Sequence, residues 1–134
     1  MHRTKIVTTF LKNSDEILLL KRSNKVKSMK ELWAGISGII EGNEEPITRA
    51  EIEIFEEVGI DKSNINLLKQ GDVILIESPQ YLNHQWQVYP FLFSVKNREV
   101  KLNWENSESI WINMNELKKF STVPSLDKVL ARLL

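Results

Sequence analysis

Apolar and polar positions divide the chain into runs of two periods. Residues 4–11 and 16–22 are rich in aliphatic and β-branched side chains and flank Lys12-Asn13-Ser14-Asp15, a pattern that predicts two strands joined in a hairpin. The polar residues 23–31 predict a loop leading to Leu32 and Trp33. From Pro46 the period changes: Ile47, Ala50, Ile54 and Val58 recur at three- and four-residue steps, the stripe of a helix that packs on a sheet. Pro46 suits the first turn, where a missing N–H does no harm, and Gly59 suits the left-handed position just past the last turn. Further strands are predicted at 65–69, 73–77, 85–95 and 110–113. A short helix is expected over 114–120, and Pro124 precedes a closing helix over about 125–133. There is no internal repeat or low-complexity tract.

The first helix has a second side. Glu53, Glu56 and Glu57 stand at i, i+3 and i+4 and project within roughly 100° of one another. Three like charges so placed are unfavourable alone and make sense around a hard divalent cation such as Mg²⁺, which takes carboxylate oxygens and shares its other positions with water and phosphate. An ion held this way neutralises a diphosphate and lowers the pKa of a bound water. Upstream, Gly35-Ile36-Ser37-Gly38 and Gly42 read as a flexible turn whose backbone can come close to a metal or phosphate. A glutamate pair or triplet alone is usually solvated surface, so the weight rests on spacing.

That spacing is Gly38, five residues, Glu44, eight residues, then Glu53-Ile54-Phe55-Glu56-Glu57-Val58-Gly59-Ile60. It resembles the signature box of the Nudix hydrolases, and Trp33 upstream is a frequent residue in that family. The resemblance covers nearly the whole chain and implies an α/β protein with the Nudix fold, a mixed β-sheet sandwiched between α-helices, in a single domain over residues 1–134. It implies hydrolysis of a diphosphate bond in a nucleoside diphosphate linked to another moiety, of nucleoside triphosphate, nucleotide sugar or dinucleotide type. The cofactor implied is Mg²⁺, with Mn²⁺ as a substitute. Its ligands would be Glu53, Glu56, Glu57 and the backbone carbonyl of Ser37. The attacking water would be positioned by Glu53, Glu56 or a loop glutamate, while Glu44 would steady the junction of loop and helix. A further carboxylate from a later loop is expected from Glu105 or Glu108, with Glu77 behind them. Each of these three, taken alone, reads better as a solvated loop acid.

Two positions depart from the family pattern. Ile36-Ser37-Gly38 stands where many members have Pro-Gly-Gly, and a backbone angle that needs glycine would be strained by serine. Ile52 stands where the family places an arginine that orients a box glutamate by a charge-assisted bond. Arg49, one turn before Glu53, is the candidate stand-in; the alternative is a surface ion pair with Glu45 or Glu53. Ile52 is also the main support for a second functional reading, a catalytically silent module that binds a nucleotide or partner as a sensor. The intact Glu53, Glu56 and Glu57 set speaks against it. The isopentenyl diphosphate isomerase branch uses a catalytic cysteine, and this chain has none.

Composition narrows the partners. The 134 residues, 42% hydrophobic and 27% charged, suffice for one proper core and leave no room for a second domain. With 18 acidic and 18 basic side chains the net charge is zero, so broad nucleic-acid or membrane binding has no electrostatic footprint and a small nucleotide-type substrate is expected. The lack of cysteine and of a long apolar run fits an enzyme of the cytoplasm. A homodimer is common in the family. Arg22, at the end of the second strand, is a candidate planar donor to phosphate. Trp86, Tyr81 and Trp104 are candidates for stacking on a base, although aromatic residues near strands are more often core. His2 and His84 are too isolated for a zinc site or a triad.

Overall fold

The structure is a computed structural model and describes residues 2–77 and 81–134. A long strand β1 (His2–Asn13) turns at Ser14 and returns as β2 (Glu16–Arg22). Two short strands follow, β3 (Trp33–Ala34) and β4 (Ile36–Ile39), then helix α1 (Pro46–Val58). A 3₁₀ turn (Lys62–Asn64) leads to β5 (Ile65–Gln70), β6 (Ile74–Glu77), β7 (His84–Val95) and β8 (Asn106–Asn113). A 3₁₀ segment (Met114–Lys119) and a short helix α2 (Leu126–Ala131) complete the order.

The sheet is mixed. β1 runs parallel to β7, from His2 opposite His84 to Lys12 opposite Ser94. On its other edge β1 changes partner: β4 pairs with Ile6 to Thr9, and β2 pairs only at Lys12 and Asn13. β2 then carries β3 and β8, while β5 and β6 line the far edge of β7. Alternation along each strand sends odd and even residues to opposite faces. Val7, Leu18, Leu20, Phe91 and Phe93 face Ala50, Ile54 and Val58 of α1. Phe10, Ile17, Leu19 and Leu92 face Leu117, Leu126, Val129 and Leu130. Helices therefore cover both faces, as the box implied.

Helix α1 has the ends expected of it. Pro46 opens it, and Gly59, at φ +73°, closes it with its N–H bonded to the Phe55 carbonyl. Several other boundaries differ from expectation. The stretch read as a flexible turn, residues 35–38, is largely strand: Ile36 is buried and β4 pairs in register with β1. Ser37 has ordinary extended backbone there, so serine brings no strain. Strand β8 begins four residues before the predicted 110, because Asn106, Glu108 and Ser109 pair with β2 although their polarity hides the strand. The segment at 114–119 is 3₁₀, and α2 starts at Leu126, after Ser125 in a left-handed conformation, φ +63°, and ends at Ala131.

Candidate functional site

The register of α1 sorts its three glutamates. Glu53 and Glu57 turn inward and are buried at 8% and 4% exposure, whereas Glu56 is exposed. Glu53 lies over Gly38 of β4 so closely that a Cβ added there would collide with its carboxyl group. Gly38 is thus glycine for want of space, since its φ is not in the left-handed region. Glu57 accepts a hydrogen bond from Asn106 Nδ2 at 3.1 Å through Oε1, while its Oε2 is buried with no hydrogen-bond partner. An orphaned carboxylate oxygen inside a protein is costly and marks a place for a proton or a cation.

The electrostatics agree with the geometry. Burial raises the Glu57 pKa well above the ordinary carboxylate value, and the nearby charges of Glu105 and Glu53 add to it against the Asn106 bond. Glu53 is raised in the same way, first by burial and then by Glu56 and Glu105, with the Arg49 hydrogen bond opposing. Four carboxylates, Glu53, Glu56, Glu57 and Glu105, therefore act on one small volume. Among the described residues no three acidic or histidine side chains close into a ready-made metal cage. The fit to a divalent cation rests instead on the all-oxygen donor set and on the unpartnered Glu57 Oε2.

Arg49 hydrogen-bonds two acids and lies 3.8 Å from a third, Glu41. Its Nε and Nη2 donate to the two oxygens of Glu44 at 2.6 and 3.0 Å, and Nη1 donates to Glu53 Oε2 at 3.0 Å. These bonds hold the Glu44 carboxyl below its ordinary pKa. Arg49 does not pair with Glu45; the bridge to Glu53 is the i, i+4 contact.

A cleft of about 770 Å³ begins beside these groups. Ser37, Gly38, Arg49, Ile52, Glu53, Glu56 and Glu105 line it. Ile6, Ile76, Trp86, Val88, Leu126 and Val129 also line it, so the cleft is walled both by residues beside α1 and by residues that pack with α2. Arg22 also lines it, with Nε and Nη2 donating to the Ser28 carbonyl at 3.3 and 2.9 Å. Trp86 stands edge-on to Tyr81 and His84, at ring distances of 5.2 and 4.5 Å. Ser37 shares a 3.1 Å hydrogen bond with Thr8 through its hydroxyl.

Other candidates stand apart. Glu108 pairs with Lys21 at 3.4 Å, Glu77 sits opposite Gln85 in the sheet, and Trp104 lies exposed beside a separate shallow depression. Residues 78–80, in the stretch expected to choose the substrate, lie outside the described residues. Sequence reasoning missed Asn106, whose only signal was its place beside Glu105, and the apolar wall contributed by α2.

The family model for the NUDIX domain matches residues 1–133. Solved structures of the same fold include the MutT NUDIX hydrolase of Burkholderia pseudomallei, 17% identical with full coverage of both chains and a TM-score of 0.78. The MutT protein of Methanosarcina mazei Go1 is 22% identical at TM-score 0.73, covering 98% of this chain and 92% of its own. An Ap4A hydrolase of C. elegans is 17% identical at TM-score 0.74, covering 99% and 95%. No curated protein gives a significant match. With the box at residues 38–60, the cleft beside it and the family match over almost its whole length, this chain belongs to the NUDIX domain family.

Proposed function

We propose that the chain is a Mg²⁺-dependent hydrolase, with Mn²⁺ as a substitute, of a nucleoside diphosphate linked to another moiety. The observation that carries this reading is the Glu57 Oε2 atom, buried without a hydrogen-bond partner and within reach of the charges of Glu53 and Glu105, two acids that line the cleft. Glu53, Glu56, Glu57 and the Ser37 carbonyl would hold the ion. When bound, it supplies charge neutralisation for the diphosphate and a more acidic water. Phosphoryl transfer depends mainly on positioning and charge, so the protein's task is to keep these oxygens in place.

Glu53 is fixed by Arg49 and against Gly38 and serves as a rigid ligand. Glu56 is exposed at the cleft wall and free of ion pairs among the described residues, so its carboxylate would accept the proton of the attacking water. Arg22, whose Nε and Nη2 hold the Ser28 carbonyl, would offer its remaining Nη1 donors to a phosphate oxygen in the cleft. Beyond the diphosphate, the apolar wall around Trp86, Val88 and Leu126 suits a flat, weakly polar group such as a nucleobase. The same reading takes residues 1–134 as one domain and places it in the cytoplasm; light scattering tests whether two copies pair, as is common in the family.

The test is phosphate and pyrophosphate release with Mg²⁺ across nucleoside triphosphates, nucleotide sugars, ADP-ribose and dinucleoside polyphosphates. One class should be hydrolysed, and Glu56→Gln should lower turnover by about 10²- to 10⁴-fold. Unchanged turnover in Glu56→Gln would sink the assignment of that residue. Silence across the panel in the wild type would sink the hydrolase reading itself.

A further inference from the structure

We infer that Glu44 and Arg49 form one positioning device for Glu53, delivered from one helical turn before position 52, where this chain has isoleucine. The inference rests on the metal-handling reading above and deepens it.

The Glu44 carboxylate is fully committed. Oε1 accepts from Arg49 Nε at 2.6 Å and from the Glu41 backbone N–H at 2.8 Å, and Oε2 accepts from Arg49 Nη2 at 3.0 Å. That fork fixes the plane of the guanidinium, because two parallel N–H donors on one carboxylate leave it a single orientation. Its third nitrogen, Nη1, then meets Glu53 Oε2 at 3.0 Å. Both Arg49 and the Glu53 side chain are nearly closed to water, at 13% and 10% exposure. The same Oε2, with Cγ and Cδ of Glu53, also lies against the bare Cα of Gly38. A carboxylate confined by a planar donor and a backbone has few rotamers left, which is what a metal ligand needs.

Glu44 therefore acts through Arg49 and is not itself a ligand. The loop backbone at Glu41, the acid at 44, the arginine at 49 and the acid at 53 make a chain of contacts from loop to helix interior. Lysine at 49 would carry the charge but not the fork. Positions 49 and 52 are three residues apart, share a helix face, and both line the cleft. A guanidinium introduced at 52 rises from the same wall and can address the same pair of acids.

A purely structural ion pair would affect folding and leave the site alone, so the experiment reads both. Arg49→Ala, Arg49→Lys, Glu44→Gln, Glu44→Gln with Arg49→Ala, and Arg49→Ala with Ile52→Arg are compared with the wild type. Mn²⁺ binding is measured by electron paramagnetic resonance, thermal midpoint by circular dichroism, and kcat and KM on whichever substrate the wild type hydrolyses. Arg49→Ala should weaken Mn²⁺ binding about tenfold and lower kcat by about 10- to 100-fold, with KM changed less than threefold. The Ile52→Arg addition should recover most of both losses, and Arg49→Lys should not. Glu44→Gln should add little to Arg49→Ala, since the two act as a unit.

Mn²⁺ binding and kcat both undiminished in a folded Arg49→Ala overturn the proposal. So does a folded Arg49→Ala, Ile52→Arg protein no better than Arg49→Ala, and so do fully additive losses with Glu44→Gln. Should Arg49→Ala not fold, Arg49→Lys carries the same comparison. If the wild type hydrolyses nothing, the hydrolase reading fails and the Mn²⁺ measurements alone decide the role of Arg49.

Discussion

Helix α1 places Ile54 and Glu57 three residues apart, both all but closed to solvent and in surroundings of opposite character. Ile54 lies in the buried apolar cluster with Ala50, Val58, Leu18 and Phe93. Glu57 lies against Glu53 and Glu105 with one oxygen unpartnered. The difference teaches that burial on this helix serves two ends. One side supplies the stability from which the other, a set of carboxylates held away from water and from each other's tolerance, is maintained.

The comparison is broken most severely on the apolar side. Ile54→Ala should cost about 2–5 kcal/mol, seen as a lower denaturant midpoint with an unchanged slope. Gly38→Ala attacks the acid side from the neighbouring strand: the new methyl group must displace Glu53, at about 1–3 kcal/mol of stability, and metal binding should weaken with it. Glu57→Gln should do the reverse to stability. Removing a buried charge raises the metal-free protein by about 1–2 kcal/mol while removing the stabilisation that Mg²⁺ gives the wild type, both readable in thermal melts with and without the ion.

The smallest effect is one of slope. Glu53 and Glu57 have folded-state pKa values above the ordinary 4.5, so the native state holds their protons more tightly than the unfolded chain. Their contribution to stability is present below that value and is lost as the pH rises through the folded values. Glu44 works the other way: held low by Arg49, its contribution is present above about 4.5 and is lost on acidification. Thermal midpoints of the metal-free protein against pH should therefore decline above the acid range, and Glu57→Gln should flatten that decline.

Much of this arrangement was legible in the chain. Pro46, Gly59 and the stripe from Ile47 to Val58 gave the helix its ends and its packing side. The spacing of Gly38, Glu44, Glu53, Glu56 and Glu57 gave the site its place, and the absence of arginine at 52 pointed to Arg49. Periodicity could not divide the glutamates: at i, i+3 and i+4 they share a face, and only the packing of β4 and β8 decides that Glu57 is interior and Glu56 is not. β4 was illegible because Gly-Ile-Ser-Gly has turn chemistry, and its strand state comes from Thr8 and Thr9 across the ladder. Asn106 was illegible because its partner is 49 residues away in sequence.

The mixed lining of the cleft has a consequence for how such a protein can diversify. One part of its wall is made of the carboxylates of α1, and another of α2 and the even-numbered side chains Trp86 and Val88 of β7. Substitutions at Val88, Leu126 or Val129 reshape the apolar part of the cleft while leaving the acids of α1 and Arg49 unchanged. New substrate preferences can thus be acquired on one layer of the molecule while the reaction is inherited intact on the other.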